Sequence, residues 1–272
     1  MTMAVQASST YHASDGAAYD LWLGRWTRKL AEPFLDFAQF SDDGDLLDVG
    51  CGTGMLTFAM AQRWPGRRIT GIDLAAPFIA YARSARCGEQ PEFEVGDACA
   101  LPYGDGQFAG AAAQFVLMFI PRPELAMQEM RRVTRRGGRV GAALWDLRGG
   151  LVFERILWDT AASIDPGARA VRDWRFNAPP VLPDGLPRLF RDAGLQDIER
   201  VSLTVRTDFA SFEDYWQPLL GGQGPVGQYF QRLAPDVKAR IRDAVCDAYR
   251  SGAPDGERSF TATAWAVRGR VP

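Results

Sequence analysis

The sequence predicts a doubly wound α/β fold, in which helices cover both faces of a mainly parallel sheet. Five short apolar segments alternate with helical patterns between residues 41 and 148, which is the order of elements in such a sheet. A glycine-rich turn follows the first segment, at the place where these sheets bind nucleotides. An acidic residue ends the second segment, where a carboxylate can bind a ribose.

The composition excludes several classes of function. The 272 residues include 31 basic and 33 acidic side chains, so the net charge of -2 gives no general attraction for nucleic acid. The four cysteines form no C-x-x-C pair, which argues against zinc and against a disulfide framework. The N-terminus lacks the features of a secretory signal, and no apolar run is long enough to span a bilayer. We expect a cytoplasmic protein with no metal and no membrane partner.

The first strand and its turn read LLDVGCGTGMLT over residues 46–57. Gly50, Gly52 and Gly54 bring backbone N–H groups and a helix N-terminus toward a ligand. Gly54 comes one residue earlier than the last glycine of the G-x-G-x-x-G turn that binds dinucleotides. Asp48 would repel a pyrophosphate, but it suits a cationic ammonium group. The alternative is a glycine-rich turn that binds no ligand.

Asp73 ends the second strand, which finishes with ITGID. From there its carboxylate can accept hydrogen bonds from both hydroxyls of a ribose bound at the first turn, with Leu74 against the adenine. The alternative is a carboxylate that caps the next helix, over residues 75–86. NAD would require the same acid, so Asp73 indicates a nucleoside without identifying it.

The run D-V-G-C-G-T-G at residues 48–54 resembles motif I of the class I S-adenosylmethionine (SAM) methyltransferases. The resemblance covers about residues 45–147 and is greatest to the group of ubiquinone and menaquinone biosynthesis. It implies a Rossmann-like sheet of seven strands, whose last two form an antiparallel pair at one edge. It also implies SAM as the cofactor, with Cys51 in its binding turn beside the glycines.

The resemblance implies further cofactor contacts along the chain. In the run FEVGDACALPYGDGQFAGA, Asp97 matches the acid that binds the adenine amino group, and Ala98 matches the residue whose backbone contacts the ring. Gln114 and Phe115 would lie near the sulfonium and the methionine carboxylate. Met118 stands where similar proteins often have histidine, which removes a candidate base.

The predicted organisation has three parts: an N-terminal helical lid over 1–40, a SAM-binding core over 41–148, and a remainder of sheet and cap helices over 149–272. Tyr19 of the lid would contact the cofactor. Large aromatic side chains outside the core would form an apolar or aromatic acceptor pocket. The substrate-binding candidates are Trp22, Trp158, Trp174, Tyr215 and Trp216. For any single one, packing of the cap is the alternative.

Three segments carry more specific expectations about secondary structure. The apolar spacing predicts a helix over 122–136, ended by the glycines at 137 and 138, before a strand over 140–145. The density of proline and glycine predicts a loop over 165–187 and a glycine-rich link over 221–227. The arginines from residue 131 to 139 are interpreted as a solvated helix face.

These observations predict an enzyme that transfers the methyl group of SAM to a small-molecule acceptor by direct displacement. Such a reaction requires alignment of the acceptor more than a catalytic residue. His12, the one histidine of the sequence, is a weak candidate for a general base. Two alternatives stay open: a nicotinamide-dependent oxidoreductase, and a SAM-dependent protein that acts on protein or RNA.

Overall fold

A single seven-stranded sheet organises the chain. The computed structural model describes residues 8–11, 13 and 15–272. The strands are β1 (Leu46–Val49), β2 (Ile69–Asp73), β3 (Glu92–Val95), β4 (Phe108–Gln114), β5 (Thr134–Trp145), β6 (Gln196–Phe209) and β7 (Arg258–Arg270). Their order is β3-β2-β1-β4-β5-β7-β6. The first five strands pair in parallel, and β7 runs antiparallel to both β5 and β6. The predicted fold class is confirmed, including the antiparallel pair at one edge.

Helices cover the sheet and extend beyond it. They are α1 (Gly16–Tyr19), α2 (Arg25–Ala38), α3 (Met55–Arg63), α4 (Ala76–Ala85), α5 (Pro123–Val133), α6 (Val152–Ile164), α7 (Pro166–Phe176), α8 (Gly185–Asp192), α9 (Phe212–Trp216), α10 (Gly224–Gln231) and α11 (Pro235–Arg250). A π-helical turn, Asp20–Gly24, joins the first two, so the N-terminal region is helical from residue 16 to residue 38. In the described part of the chain, no helix has the length and apolar character that a bilayer crossing requires.

β1 is the central strand and determines where a ligand can bind. Leu46 pairs with Ile69 of β2 on one side and with Gly110 of β4 on the other. All four residues of β1 are buried, as expected for a strand covered on both faces. The strand order reverses at β1, and such a reversal opens a crevice at the carboxyl ends of the strands.

Small residues in the sheet allow α2 and the residues just after it to pack closely on it. β4 reads FAGAAAQ, and a Cβ atom at Gly110 would lie only 2.4 Å from the ring of Phe40. A Cβ atom at Gly141 of β5 would lie 3.2 Å from Phe34. Both phenylalanines are buried, so the end of α2 and Phe40 after it belong to the core.

The expected helix end at the glycine pair is wrong. α5 ends at Val133, and β5 begins at the next residue. The pairing of β4 with β5 is irregular between Phe108 and Gly110, and Gly137 has a φ of 76°. The glycines therefore shape an irregular stretch of strand. Of the arginines from residue 131 to 139, the last three lie on this strand and not on a helix. One of them, Arg135, pairs with Asp43 at 2.6 Å.

The expected loop over 165–187 contains α7 and the first three residues of α8, and the expected glycine-rich link contains the first four residues of α10. Proline and glycine stand in the first turns of α7 and α10, where proline lacks only an N–H that has no helical partner. The Asp165 side chain accepts a hydrogen bond from the N–H of Ala168 at 2.9 Å and caps α7. The density of proline and glycine therefore marked helix starts.

Candidate active site

The turn between β1 and α3 approaches the crevice with its backbone. Gly50, Gly52 and Gly54 have φ values of 71°, 55° and 89°, a region that favours glycine. A Cβ atom at Gly50 would lie 2.3 Å from Val116, so no larger residue fits there. A Cβ atom at Gly52 would meet only the Phe78 ring, at 3.8 Å. A side chain at Gly52 would therefore enter open space, whereas a side chain at Gly50 would collide with Val116.

Asp73 holds this turn from the end of β2. Its Oδ2 accepts a hydrogen bond from the N–H of Gly52 at 2.9 Å, and its Oδ1 accepts one from the N–H of Ala75 at 2.8 Å. Burial raises the pKa of the carboxyl, and the two N–H groups act in the opposite direction. Each carboxylate oxygen keeps a further lone pair for a ligand hydroxyl. The carboxylate thus links the glycine turn to the residues before α4, and it lines the crevice.

Asp48 is a buried carboxyl with an unsatisfied oxygen. Its exposed fraction is 1%, and its Oδ2 accepts a hydrogen bond from the Thr57 hydroxyl at 2.6 Å. Among the described residues, its Oδ1 has no hydrogen-bond partner. Burial above all, and then the nearby charge of Asp73, raise the pKa of Asp48 to about 7, although the Thr57 hydrogen bond lowers it. A cation beside Oδ1 would relieve this unfavourable burial.

The end of β4 supplies a strained aromatic residue. Phe115 follows Gln114 and has a φ of 65°, which is uncommon for a residue other than glycine. Its N–H donates to the carbonyl of Ala143 at 2.8 Å, and its ring stacks on Trp145 at 4.1 Å with an interplanar angle of 5°. The Gln114 amide donates to the carbonyl of Thr27 at 3.2 Å. These contacts hold the backbone in a conformation that turns both side chains toward the crevice.

Two adjacent cavities occupy the crevice. The larger, the main cavity, has a volume of about 300 Å³, and the smaller, the side cavity, has about 40 Å³. Both are lined by Tyr19, Gly50, Gly52, Gln114 and Phe115. The main cavity alone reaches Asp73, Leu74 and Phe78. The side cavity alone reaches Asp48, Cys51 and Thr27.

The N-terminal segment covers part of the main cavity. The Thr10 N–H donates to the carbonyl of Phe119 at 2.8 Å, and the Tyr11 ring lies 4.9 Å from the ring of Phe119. Tyr11 lines the cavity, and its buried hydroxyl has no partner within the described chain. The Ser8 hydroxyl donates to Asp97 at 2.6 Å. The prediction about His12 lies outside the described residues.

Comparison with known proteins identifies the family. A protein-family model described as a methyltransferase domain matches residues 47–141. A demethylmenaquinone methyltransferase of Roseiflexus castenholzii is 31% identical over 165 residues, which are 57% of this chain and 69% of that protein. The chain belongs to the class I SAM-dependent methyltransferases. Its place in the group similar to the ubiquinone and menaquinone enzymes is confirmed.

Other relatives extend the similarity to the whole chain. A nocamycin O-methyltransferase of Saccharothrix syringae is 26% identical over 93% of this chain and 94% of its own. Among solved structures, geranyl diphosphate C-methyltransferase of Streptomyces coelicolor, in complex with S-adenosylhomocysteine, has a TM-score of 0.52 at 17% identity. That superposition covers 89% of this chain and 76% of the other, and it shows the shared fold.

SAM is the cofactor of this methyltransferase. The side chains at the glycine turn fit its chemistry. The Asp48 Oδ1, which has no partner in the described part of the chain, suits a cationic amino group, and Asp73 retains acceptor capacity for ribose hydroxyls. Gly52 leaves space for close approach of the backbone. In residues 8–11, 13 and 15–272, no group of His, Cys, Asp and Glu is placed to hold a metal ion.

The structure brings together most of the predicted cofactor residues of the methyltransferase. Nine of the twelve line one or both cavities: Tyr19, Asp48, Gly50, Cys51, Gly52, Asp73, Leu74, Gln114 and Phe115. Gly54, Asp97 and Ala98 line neither. Gly54 precedes α3, where a Cβ atom would lie 2.9 Å from Phe93, and Asp97 binds Ser8 and the N–H of Cys99.

The five predicted acceptor residues line neither of the two cavities. Four of them are buried in the packing of the cap and the N-terminal helix: Trp22, Trp158, Tyr215 and Trp216. The Tyr215 hydroxyl donates to the carbonyl of Phe153 at 2.9 Å. Trp174 is 49% exposed and lies beside two other surface cavities. Packing explains the four buried side chains.

Two charged residues that the sequence analysis did not select line the main cavity. Glu154 of α6 and Arg175 of α7 are 2% and 5% exposed, and the Arg175 Nη2 lies 2.8 Å from the Glu154 Oε2. A sequence signal for Glu154 existed, because it shares the buried face of α6 with Leu157, Trp158 and Ala161. A charge on an apolar helix face marks a candidate site. The arginine-rich composition of α7 gave no comparable signal.

Proposed function

We propose that this methyltransferase transfers the methyl group of SAM to a small, apolar or aromatic organic acceptor by direct displacement. The observation that carries the proposal is the main cavity, which extends from the glycine turn to an aromatic wall. That wall includes Tyr11, Phe78, Phe115, Phe119 and Trp145. A cavity of about 300 Å³ lined in this way suits a small ligand with an apolar body.

We assign the cofactor to the glycine turn where the two cavities meet, with its nucleoside in the main cavity and its amino group in the side cavity. Asp73 would bind the ribose, Leu74 would lie against the adenine, and Asp48 would bind the amino group from the side cavity. The glycine backbone permits close approach, as the open space beside Gly52 indicates. The roles proposed from the sequence for Asp97 and Ala98 would bring the adenine to the loop after β3.

The chain contributes alignment and exclusion of water. When bound, SAM supplies an electrophilic methyl group on a positively charged sulfur. The stacked rings of Phe115 and Trp145 form a rigid wall against which an acceptor can be oriented. Orientation of this kind lowers a barrier by about 7 to 11 kcal/mol. The proposed lid over 1–40 would close the site and exclude water, while residues 41–148 bind the cofactor and 149–272 complete the sheet and cap.

The test follows the methyl group into its product. Purified enzyme and SAM with a labelled methyl group are added to a lysate, which is then separated into small-molecule, protein and nucleic-acid fractions. We expect label in the small-molecule fraction, and we expect Asp73→Ala to abolish it. Label confined to protein or nucleic acid would overturn the proposed acceptor class. Binding of S-adenosylhomocysteine without any transfer would contradict the proposed activity.

A further inference from the structure

The ion pair between Glu154 and Arg175 is incompletely satisfied. Four of its atoms have no hydrogen-bond partner in the described chain: Oε1 and Oε2 of Glu154, and Nε and Nη1 of Arg175. The closest approach, 2.8 Å, joins the two charges without the alignment of a hydrogen bond. Removing both groups from water is costly, and the loss is compensated only where the remaining donors and acceptors find partners.

Both residues of the pair line the main cavity. Both residues come from cap helices, so they lie outside the sheet that supplies the cofactor residues. The Arg175 guanidinium also lies 5.7 Å from the centre of the Trp158 ring, which fixes one of its faces. A ligand in the cavity is therefore well placed to supply the missing partners.

The chemistry of the pair defines what that ligand carries. Arg175 offers only donors, and ionised Glu154 offers only acceptors. The pair as a whole is neutral, so a ligand with a net charge would leave one charge uncompensated in a buried site. A neutral group with both an acceptor and a donor satisfies both residues. An enol or phenol hydroxyl beside a carbonyl, or an amide, has this property.

We infer that Glu154 and Arg175 bind the polar group of the methyl acceptor, and that this group is a neutral combination of a carbonyl oxygen and an O–H or N–H. The carbonyl accepts from Arg175, and the O–H or N–H donates to Glu154. The aromatic wall holds the rest of the acceptor. This inference rests on the proposed function, because it assigns the part of the main cavity beside Glu154 and Arg175 to the acceptor of that reaction.

The test uses three probes of equal size and different charge: benzamide, benzoate and benzamidine. Their binding to the enzyme saturated with S-adenosylhomocysteine is measured by titration calorimetry. Wild type should bind benzamide about tenfold or more tightly than either ion. Each ion would pair with one member of the Glu154–Arg175 pair and leave the other member, which has the same sign of charge as the ion, uncompensated. Benzoate or benzamidine binding as tightly as benzamide would overturn the inference, and so would the absence of binding by all three.

Two variants should change the preference in opposite directions. Glu154→Gln leaves the Arg175 cation alone and should bind benzoate best, whereas Arg175→Gln should bind benzamidine best. The matched control is Asp159→Asn, which removes the 3.3 Å ion pair with Arg172 between the same two helices, away from the main cavity. It should keep the preference for benzamide. An unchanged order of probes in a folded Glu154→Gln variant would contradict the inference.

The same experiment separates this inference from the proposed function. Binding of S-adenosylhomocysteine is measured first in every variant, together with the thermal unfolding curve. If wild type does not bind S-adenosylhomocysteine, the result counts against the proposed function. Normal cofactor binding with a charge-independent order of probes would count against the inference alone. If a variant with a lone buried charge does not fold, the order in wild type decides.

Discussion

Replacing Asp48 by asparagine should make the cofactor-free enzyme more resistant to alkaline pH while it weakens cofactor binding. The carboxyl is 1% exposed, and burial raises its pKa from the ordinary 3.8 to about 7. The folded protein therefore binds this proton more tightly than the unfolded chain does. Stability is greatest below the unfolded pKa and falls as the pH rises toward the folded pKa.

The size of the effect follows from the two pKa values. A rise from 3.8 to about 7 corresponds to about 4 kcal/mol at pH values above both. Between pH 5 and pH 8, the wild type should lose about 2 to 3 kcal/mol through this group. Asparagine does not titrate, and its carbonyl can still accept the Thr57 hydroxyl. The stability of Asp48→Asn relative to wild type should therefore improve by that amount over the interval.

The assay is urea denaturation of both proteins at pH 5 and pH 8 without cofactor, followed by tryptophan fluorescence. Asp42→Asn, at an exposed position in the turn before β1, is the matched control and should show no such change. The affinity of Asp48→Asn for S-adenosylhomocysteine at pH 8 should fall about 10- to 100-fold, because a hydrogen bond to a charged group is lost. A stability difference that does not change with pH would refute the reasoning, since it would mean that Asp48 is not held as a buried carboxyl.

Three further outcomes are expected. The affinity of wild type for S-adenosylhomocysteine, measured by calorimetry, should rise from pH 5 to about pH 7 and then level off, because binding requires the Asp48 carboxylate; Asp48→Asn should lack this rise. Asp73→Ala should lower that affinity about 100-fold without unfolding the protein, since ribose binding and the hydrogen bond to the Gly52 N–H are both lost; an affinity equal to wild type would contradict the assigned role. Gly50→Ala should prevent folding, because its Cβ would lie 2.3 Å from Val116. Gly52→Ala should fold with a loss of about 1 to 2 kcal/mol in the unfolding free energy, and it should not bind the cofactor. Thermal unfolding and calorimetry compare the two glycine variants, and equal behaviour would refute the distinction between them.

The glycine turn and the neighbouring acids were accessible to sequence reasoning because local patterns determine them. Consecutive strand and helix signals predict a parallel sheet, and a parallel sheet places the ends of its strands together. Asp48 and Asp73 stand at the ends of adjacent strands, so the pairing of β1 with β2 brings their side chains to one crevice. Gln114 and Phe115, which the family resemblance assigned to the cofactor, reach the same crevice through the pairing of β4 with β1.

The acceptor side could not be predicted in the same way. The cap helices reach the main cavity through packing, and no repeating pattern relates α6 and α7 to the strand ends. Aromatic content selected Trp158 and Tyr215, which are buried in that packing, and did not select Glu154, which lines the main cavity. The proline and glycine content predicted a loop where α7 lies, so the helix that carries Arg175 was not predicted.

The sequence by itself determined the fold class, the family and the position of the cofactor turn, because each depends on residues close together in the chain and on a regular alternation of strands and helices. Tertiary structure alone decided which cap side chains line the main cavity. It also decided that one oxygen of Asp48 has no hydrogen-bond partner among the described residues, and that Glu154 meets Arg175 across 21 positions of sequence. The burial and the hydrogen bonds of a polar group depend on every element packed around it, and a local sequence pattern does not determine that environment.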